Sequence, residues 1–327
     1  MRKSVLCLIS ILVCCAAIGA ASADVRVGIV TDGDVEFWNA LQEAANTWAD
    51  EHDIELDLRI ATPPTAERQN ELAKELVEAG VQALAISPVA PEEQADVLRA
   101  LGETTPLVTV RRDVPEGNRR AFIARDESEA GKKLAQSVLH HVVPGLRIMV
   151  FCSNPEAPET QARIAAMEEV FEPSFTVIDG LTADHGDQML AFANMEEVIG
   201  ARPEIAAFVG FEPYHGPAML RAVTEAGRER MVRIIGFGGG TDALKAAMEQ
   251  GAVHALVMDD TAGWAECILD TLKTLALDED KDAIPEDGKI AAPLRTVDTE
   301  FFMSIEEQMD ELQVQVPWIS EVAPGGP

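Results

Sequence analysis

The chain has 327 residues, 47% of them hydrophobic, with 26 basic against 56 acidic side chains and a formal charge of −30. That length exceeds a single core of ~100–150 residues, so two lobes are expected, and the apolar share is enough to fill both. So large an acidic excess excludes nucleic acid and anionic lipid as partners, since both need basic patches.

In chain order, Arg2 and Lys3 precede an apolar run from Val5 to Ile18, and Ala21-Ser22-Ala23 follows. A basic start, a short apolar middle and an A-x-A end form a cleavable export signal, residues 1–23, and place the mature chain in the periplasm. The run falls short of the ~20 residues of a membrane span. Cys7, Cys14 and Cys15 leave with the signal, and Val13 is not the small residue a lipoprotein needs before its cysteine. Cys152 and Cys267 remain, and are read as two buried thiols rather than a disulfide.

Short apolar runs then alternate with helical periodicity. Strands are predicted at Val25–Val30, Ile54–Ile60, Ala83–Ser87, Leu107–Val110 and Phe122–Ala124. A second series follows at Arg147–Phe151, Phe175–Asp179, Ala206–Phe211, Arg233–Phe237 and His254–Met258. Between them lie helices such as Phe37–His52, with Leu41, Ala44, Ala45 and Trp48 on one face, and Thr65–Ala79, ended by Gly80. From Asp278 onward the chain shows charge runs and little periodicity, apart from a short helix near Ile305–Leu312. Alternating strands and helices mean parallel sheets with right-handed crossovers, so the fold class is α/β with two doubly wound lobes.

Ligands of such sheets sit outside the carboxyl ends of the strands. The loops that matter are therefore Asp32–Trp38, Arg111–Asp113, Ser153–Arg163, Asp184–Asp187, Glu212–His215, Gly238–Asp242 and Asp259–Trp264. Two of the four Trp, and the only Tyr, fall in them. Trp38 and Trp264 can be helix-start core residues or ring platforms for a ligand; the residues leave both readings open.

Pro106-Leu-Val-Thr-Val-Arg-Arg-Asp-Val-Pro115, Phe122-Ile-Ala-Arg-Asp126 with Glu129-Ala-Gly131, Val209-Gly-Phe-Glu-Pro-Tyr-His-Gly-Pro217 and Ile235-Gly-Phe237 stand in order along the mature chain. Together they resemble the periplasmic sugar-binding proteins of the ribose-binding type. The resemblance implies lobes of residues 24–126 plus 259–292 and 127–258 plus 293–327, joined by a three-stranded hinge. It also implies closure on a sugar, sugar acid or polyol, delivery to an ABC permease of the inner membrane, a monomer, and neither cofactor nor metal. Carried over by position, the ligand-binding set is Phe37, Trp38, Arg111, Arg112, Arg163, Glu212, Tyr214, His215, Gly238 and Asp259. Aromatic planes would cover sugar C–H faces, while guanidiniums and carboxylates bond pairs of hydroxyls. The chain departs from the family at Gly238 and Arg111, where an Asp is usual, at Met258 in place of Gln, and at Val35-Glu36 in place of Asn-Pro. Arg111, Arg112, Arg163 and a bare helix start after Gly240 favour an anionic solute; Glu212, Asp259 and Asp260 favour a neutral or amino sugar.

Other signals are weaker. Gly236-Phe-Gly-Gly-Gly240 misses the G-x-G-x-x-G spacing at Thr241. Asp278-Glu-Asp-Lys-Asp282 has Ala283 where a calcium loop needs Gly. His140-His141 closes a helix and suits its C-terminal dipole, and the six His show no paired metal spacing. Two other functions share these features. One is a receptor for a membrane sensor. The other is a carbohydrate-active enzyme using carboxylates such as Asp184, Glu212 and Asp259.

Overall fold

The computed structural model describes residues 25–238, 241–278 and 284–299. The export signal, the acidic run at 279–283, Gly240 and the helix expected near Ile305–Leu312 lie outside them. The first sheet is built from β1 (Val25–Val30), β2 (Ile54–Arg59), β3 (Ala83–Ile86), β4 (Leu107–Val110) and β5 (Ala121–Arg125). Its sixth strand comes from far along the chain, β11 (Lys289–Ala292), giving the order β11-β5-β4-β3-β1-β2 with every pairing parallel. The second sheet holds β6 (Arg147–Cys152), β7 (Val177–Ala183), β8 (Ile205–Gly210), β9 (Arg233–Phe237), β10 (Ala255–Asp259) and β12 (Leu294–Asp298). Its order is β12-β10-β9-β8-β6-β7, parallel except for the antiparallel edge strand β12.

Helices cover both faces of each sheet, which is why the central strands read as unbroken apolar runs. In the first lobe α1 (Val35–Glu51) and α9 (Thr261–Leu277) bury Trp38, Leu41, Ala45, Ile268 and Leu272 against one face. On the other face α2 (Ala66–Glu78) and α3 (Pro91–Gly102) bury Leu72, Leu76 and Leu98. In the second lobe α4 (Glu127–His141) and α5 (Pro158–Phe171) cover one face, and α6 (Gln188–Ala201), α7 (His215–Glu225) and α8 (Asp242–Glu249) the other. Among the described residues no helix is long and apolar enough to cross a membrane.

The two α/β series are present as expected, with two differences. The segment after Asp278 carries β11 and β12, which the sequence reading leaves without strands. Each is only four or five residues long and gains its hydrogen bonds from β5 or β10, so its own pattern is too short to register. The seventh strand starts at Val177 because Phe175 sits at a φ of 58°, in the left-handed region that extended chain does not use. Cys152 and Cys267 are both free; Cys152 is buried, while Cys267 is only half-buried.

The chain passes between the sheets after Arg125, after Asp259 and between Ala292 and Leu294. The first two passages share one device. A strand ends in a charged residue and the next residue caps a helix. Asp126 accepts from Ser128 N and Glu129 N at the start of α4, and Asp260 accepts from Gly263 N at the start of α9. Such caps contribute ~1 kcal/mol each and set where each helix departs. Just beyond, α4 and α5 touch at Gly131, where a β-carbon would lie 2.3 Å from Arg163 O and 2.9 Å from its Cα. Only a glycine allows α5 to sit there. Ala would favour the helix by ~1 kcal/mol if space were free. We therefore expect Gly131→Ala to lower stability by ~1–3 kcal/mol through overpacking. Urea unfolding reads the sign of the change, and a variant as stable as wild type or more so would show that the two helices have room to separate.

Candidate functional site

The carboxyl ends of β1 and β4 in one sheet and of β6, β7, β8, β9 and β10 in the other carry the loops singled out from sequence. In the first lobe the centre is Asp32, which is 3% exposed. Its Oδ1 accepts from Trp38 Nε1 at 2.7 Å and from Asp34 N at 3.0 Å, and its Oδ2 accepts from Ser87 Oγ at 2.9 Å. Arg111 Nη1 stands 3.3 Å from Oδ2, its Nη2 donates to Asp34 at 3.0 Å, and its guanidinium lies over the Phe37 ring at 4.7 Å. Burial alone would raise the Asp32 carboxyl. The Asp34 backbone N–H, the Arg111 charge and the Trp38 and Ser87 donors outweigh it and hold the group below its ordinary range.

Gln69 braces the same loops from α2. Its amide nitrogen donates to Thr31 O and Ser87 O, both at 2.7 Å, and its oxygen accepts from Val89 N and Gln94 Nε2. Every hydrogen-bonding direction of that buried amide is used, so the loops after β1 and β3 are locked together.

In the second lobe the corresponding centre is Asp184, which is 1% exposed in its side chain. It accepts from Tyr214 Oη at 2.5 Å and from Gly186 N at 2.9 Å, and it meets His215 Nε2 at 2.7 Å. His215 Nδ1 accepts from Phe211 N and Glu212 N, each at 3.1 Å, which leaves the ring proton on Nε2 to donate to Asp184. Burial holds His215 below its usual range despite the neighbouring carboxylate. The ring is thus neutral and wholly enclosed. Glu212 accepts from Ser153 Oγ at 2.7 Å.

Between the two centres, at the passages, lies a set of paired charges. Arg125, ending β5, stands 3.4 Å from Asp259, ending β10, and its guanidinium lies 4.8 Å from the Phe237 ring. Arg163 donates to Glu127 at 2.6 Å and to Phe211 O at 2.8 Å, with its guanidinium 4.3 Å from the same Phe237 ring. Burial pushes Asp259 up; the Arg125, Arg111 and Arg163 charges pull it back, and Glu127 adds to the rise. Arg125 Nε and Asp259 Oδ1 face each other in their ion pair without a hydrogen bond, and among the described residues the buried Trp264 Nε1 has no hydrogen-bond partner.

The residues singled out from sequence fall into two kinds here. Phe37, Arg111, Glu212, Tyr214 and Asp259 stand at or just beyond strand ends, and Arg163 lies in α5, where it meets Glu127 and Phe211 O. Arg112 is half-exposed and spends its guanidinium on Pro88 O at 3.3 Å and Asp32 at 3.6 Å. Trp38 and His215 are each 0% exposed. The Trp38 ring is enclosed in the core edge-on to Phe37, at 5.2 Å, and its polar end positions Asp32; it offers no free face. Gly238 has a φ of 98°, and a β-carbon there would meet Pro213 at 2.7 Å, so backbone conformation and not ligand charge dictates glycine. Thr241, not bare backbone, caps α8 by accepting from Leu244 N. Asp184 is engaged by Tyr214, Gly186 and His215, Glu212 by Ser153, and Asp259 by Arg125. Arg125 and Trp264 escaped the sequence list. Arg125 stands inside the quoted Phe122–Asp126 segment, and only its distance to Asp259 reveals its place.

A groove of about 670 Å³ between α7 and α8, lined by Pro217, Leu220, Arg221, Leu244 and Ala247, lies on the outer side of the second lobe. None of the residues converging at the passages lines it.

The family model for the periplasmic binding protein domain matches residues 27–280. No protein of curated function matches the chain. Among solved structures, AraP, an arabinose binding protein from Geobacillus stearothermophilus, superposes with a TM-score of 0.73 at 17% identity, over 85% of this chain and 97% of its own. A periplasmic ribose ABC transporter protein from Conexibacter woesei gives 0.73 at 16% identity, over 92% and 98%. A sugar-binding protein of a sugar ABC transporter from Bacillus halodurans gives 0.72 at 17% identity, over 84% and 97%. At these identities the likeness is one of fold: two lobes of doubly wound sheet with the passages between them.

The Asp32 cluster makes a prediction with a definite pH sign. A carboxyl held below its unfolded value of ~3.9 contributes stability that is complete above that value and lost as pH falls through the folded one. Asp32→Asn should cost ~1–3 kcal/mol at pH 7, and the gap to wild type should close below about pH 4. Denaturation at a series of pH values reads this, and a gap that stays constant into acid would remove charge from the explanation.

Proposed function

We propose, from the premise that this chain belongs to the periplasmic binding protein domain family, that it is an exported, monomeric receptor for a small sugar-like solute. On this reading the solute is held between the lobes, 24–126 with 259–292 and 127–258 with 293–327, and is handed to an ABC permease of the inner membrane. The solved relatives of like fold named for arabinose, ribose or sugar support a carbohydrate without singling out ribose. The observation that carries the reading is the buried Trp264 Nε1, which has no hydrogen-bond partner among the described residues, together with the Arg125–Asp259 ion pair, whose facing atoms meet at 3.4 Å without a hydrogen bond. Buried donors and acceptors without partners cost ~1–3 kcal/mol each. A rim of hydroxyls entering between the lobes supplies both a donor for Asp259 and acceptors for Arg125 and Trp264.

Phe37 takes the stacking role in place of Trp38, because it is the aromatic of that pair that lies beneath Arg111 and edge-on to Trp264. The charge pairing favours a neutral polyhydroxy solute over a sugar acid. Arg111 is matched by Asp32 and Asp34, Arg125 by Asp259, and Arg163 by Glu127. An anion would compete with carboxylates already seated, whereas hydroxyls add bonds to both members of each pair.

A thermal-shift screen of the mature protein against neutral pentoses and hexoses and their aldonic and uronic acids tests this. A solute at 100 times its dissociation constant adds ~2.7 kcal/mol, and scattering should show a smaller radius of gyration with that solute bound. Phe37→Ala and Trp38→Ala should each cost ~3–5 kcal/mol of stability as truncations of the same core cluster. Measured on folded protein, Phe37→Ala should weaken binding at least tenfold and Trp38→Ala should weaken it less. Stabilisation by the acids alone would overturn the neutral reading, and conversion of the sugar to a new product would replace the receptor by an enzyme.

A further inference from the structure

We propose that the end of the second lobe remote from the passages carries a transition-metal site formed by His140, His141 and Asp298. One donor atom from each lies within 4.8 Å of the others. Donors at 2.0–2.1 Å from a tetrahedral ion are ~3.3 Å apart, so side-chain adjustment of about an ångström closes the set. His140 and His141 are the last residues of α4, and Asp298 is the last of β12, paired with Ala255 at the start of β10. The other end of that pairing is Leu294 against Asp259, so the site stands a strand length, ~13 Å, from the passage. It is separate from the solute site and does not depend on the reading proposed for it.

The donor set selects the ion. Two imidazoles and one carboxylate, with a fourth position open to water, suit Zn²⁺ and its neighbours Ni²⁺ and Cu²⁺. Ca²⁺ and Mg²⁺ require six or more oxygens and are excluded. The carbonyl end of α4 draws a cation to this place. Two neighbours stand behind the set. Arg233, at the start of β9, directs its Nε to His141 O at 3.4 Å, and its positive charge opposes the ion. His254, with its ring 5.6 Å from that of His141, is engaged through Nδ1 by Ile234 N and through Nε2 by Arg233. It supports His141 and is not a donor. Spacing along the chain hides this set, because adjacent histidines on a helix end acquire their third donor only when the last strand returns beside β10. Bound metal would then tie the end of α4 to the end of β12.

The test uses mature, metal-free protein and Zn²⁺ alone, with Mg²⁺ and Ca²⁺ as controls. One equivalent of Zn²⁺ should bind by calorimetry, and at 100 times its dissociation constant should raise the melting temperature by about 5 °C. Co²⁺ in its place should give the visible absorption of a four-coordinate ion. His140→Gln, at an exposed position, and Asp298→Asn should each weaken Zn²⁺ binding at least tenfold while leaving the metal-free melting temperature nearly unchanged. No response to Zn²⁺, or a response equal in wild type and both variants, would overturn the site and leave His140, His141 and Asp298 as neighbouring polar side chains that hold no metal.

Discussion

The contact between Arg125 and Asp259 is the constraint on which the rest of the molecule turns. Each is the last residue of a parallel strand, one in each sheet, and they meet at 3.4 Å where the chain changes lobes. Strand polarity makes this possible. All parallel strands of a sheet present their carboxyl ends on one side, and the two sheets are joined so that these sides share the passages. The following residues, Asp126 and Asp260, cap the helices α4 and α9. A change in either strand end would therefore disturb a helix start and a lobe junction together.

Each lobe holds its loops with a buried acid. Asp32 gathers Trp38, Ser87, Asp34 and Arg111; Asp184 gathers Tyr214, Gly186 and His215. The two centres solve the same problem with different chemistry. Asp32 is ionised against an arginine, so its hold carries charge. Asp184 is met by a phenol and a neutral imidazole whose tautomer two backbone N–H groups decide. Fully satisfied networks of this kind are rigid, because loosening any member strands a buried polar group. Rigid loops on both sides leave the passages as the place where movement between lobes is least costly.

Arginine rather than lysine serves at the seam for a physical reason. Arg111, Arg125 and Arg163 each lie over an aromatic ring, Phe37 or Phe237, while pairing with a carboxylate. A planar cation does both at once, and an ammonium does not. The acidic surface has little part in this, since charges beyond ~8–10 Å are screened. Local pairing sets the electrostatics of the site.

The α/β class and the alternation of strand and helix were legible in the sequence because hydrophobic period is a local property. So were the loops at strand ends, since topology alone places them. What tertiary structure alone decided was which side of each residue faces what. Phe37 and Trp38 are adjacent in sequence, yet one meets Arg111 while the other is sealed in the core holding Asp32. Gly238 reads as a lost acid, but its φ and the Pro213 ring leave no place for any side chain. Arg111 and Arg163 read as free cations until carboxylates from distant elements arrive to pair them. Strands β11 and β12 were invisible because their hydrogen bonds come from partners, not from their own pattern. Composition and period act along the chain, whereas charge pairing, burial and register act across it, and only folding brings those distant groups within bonding distance.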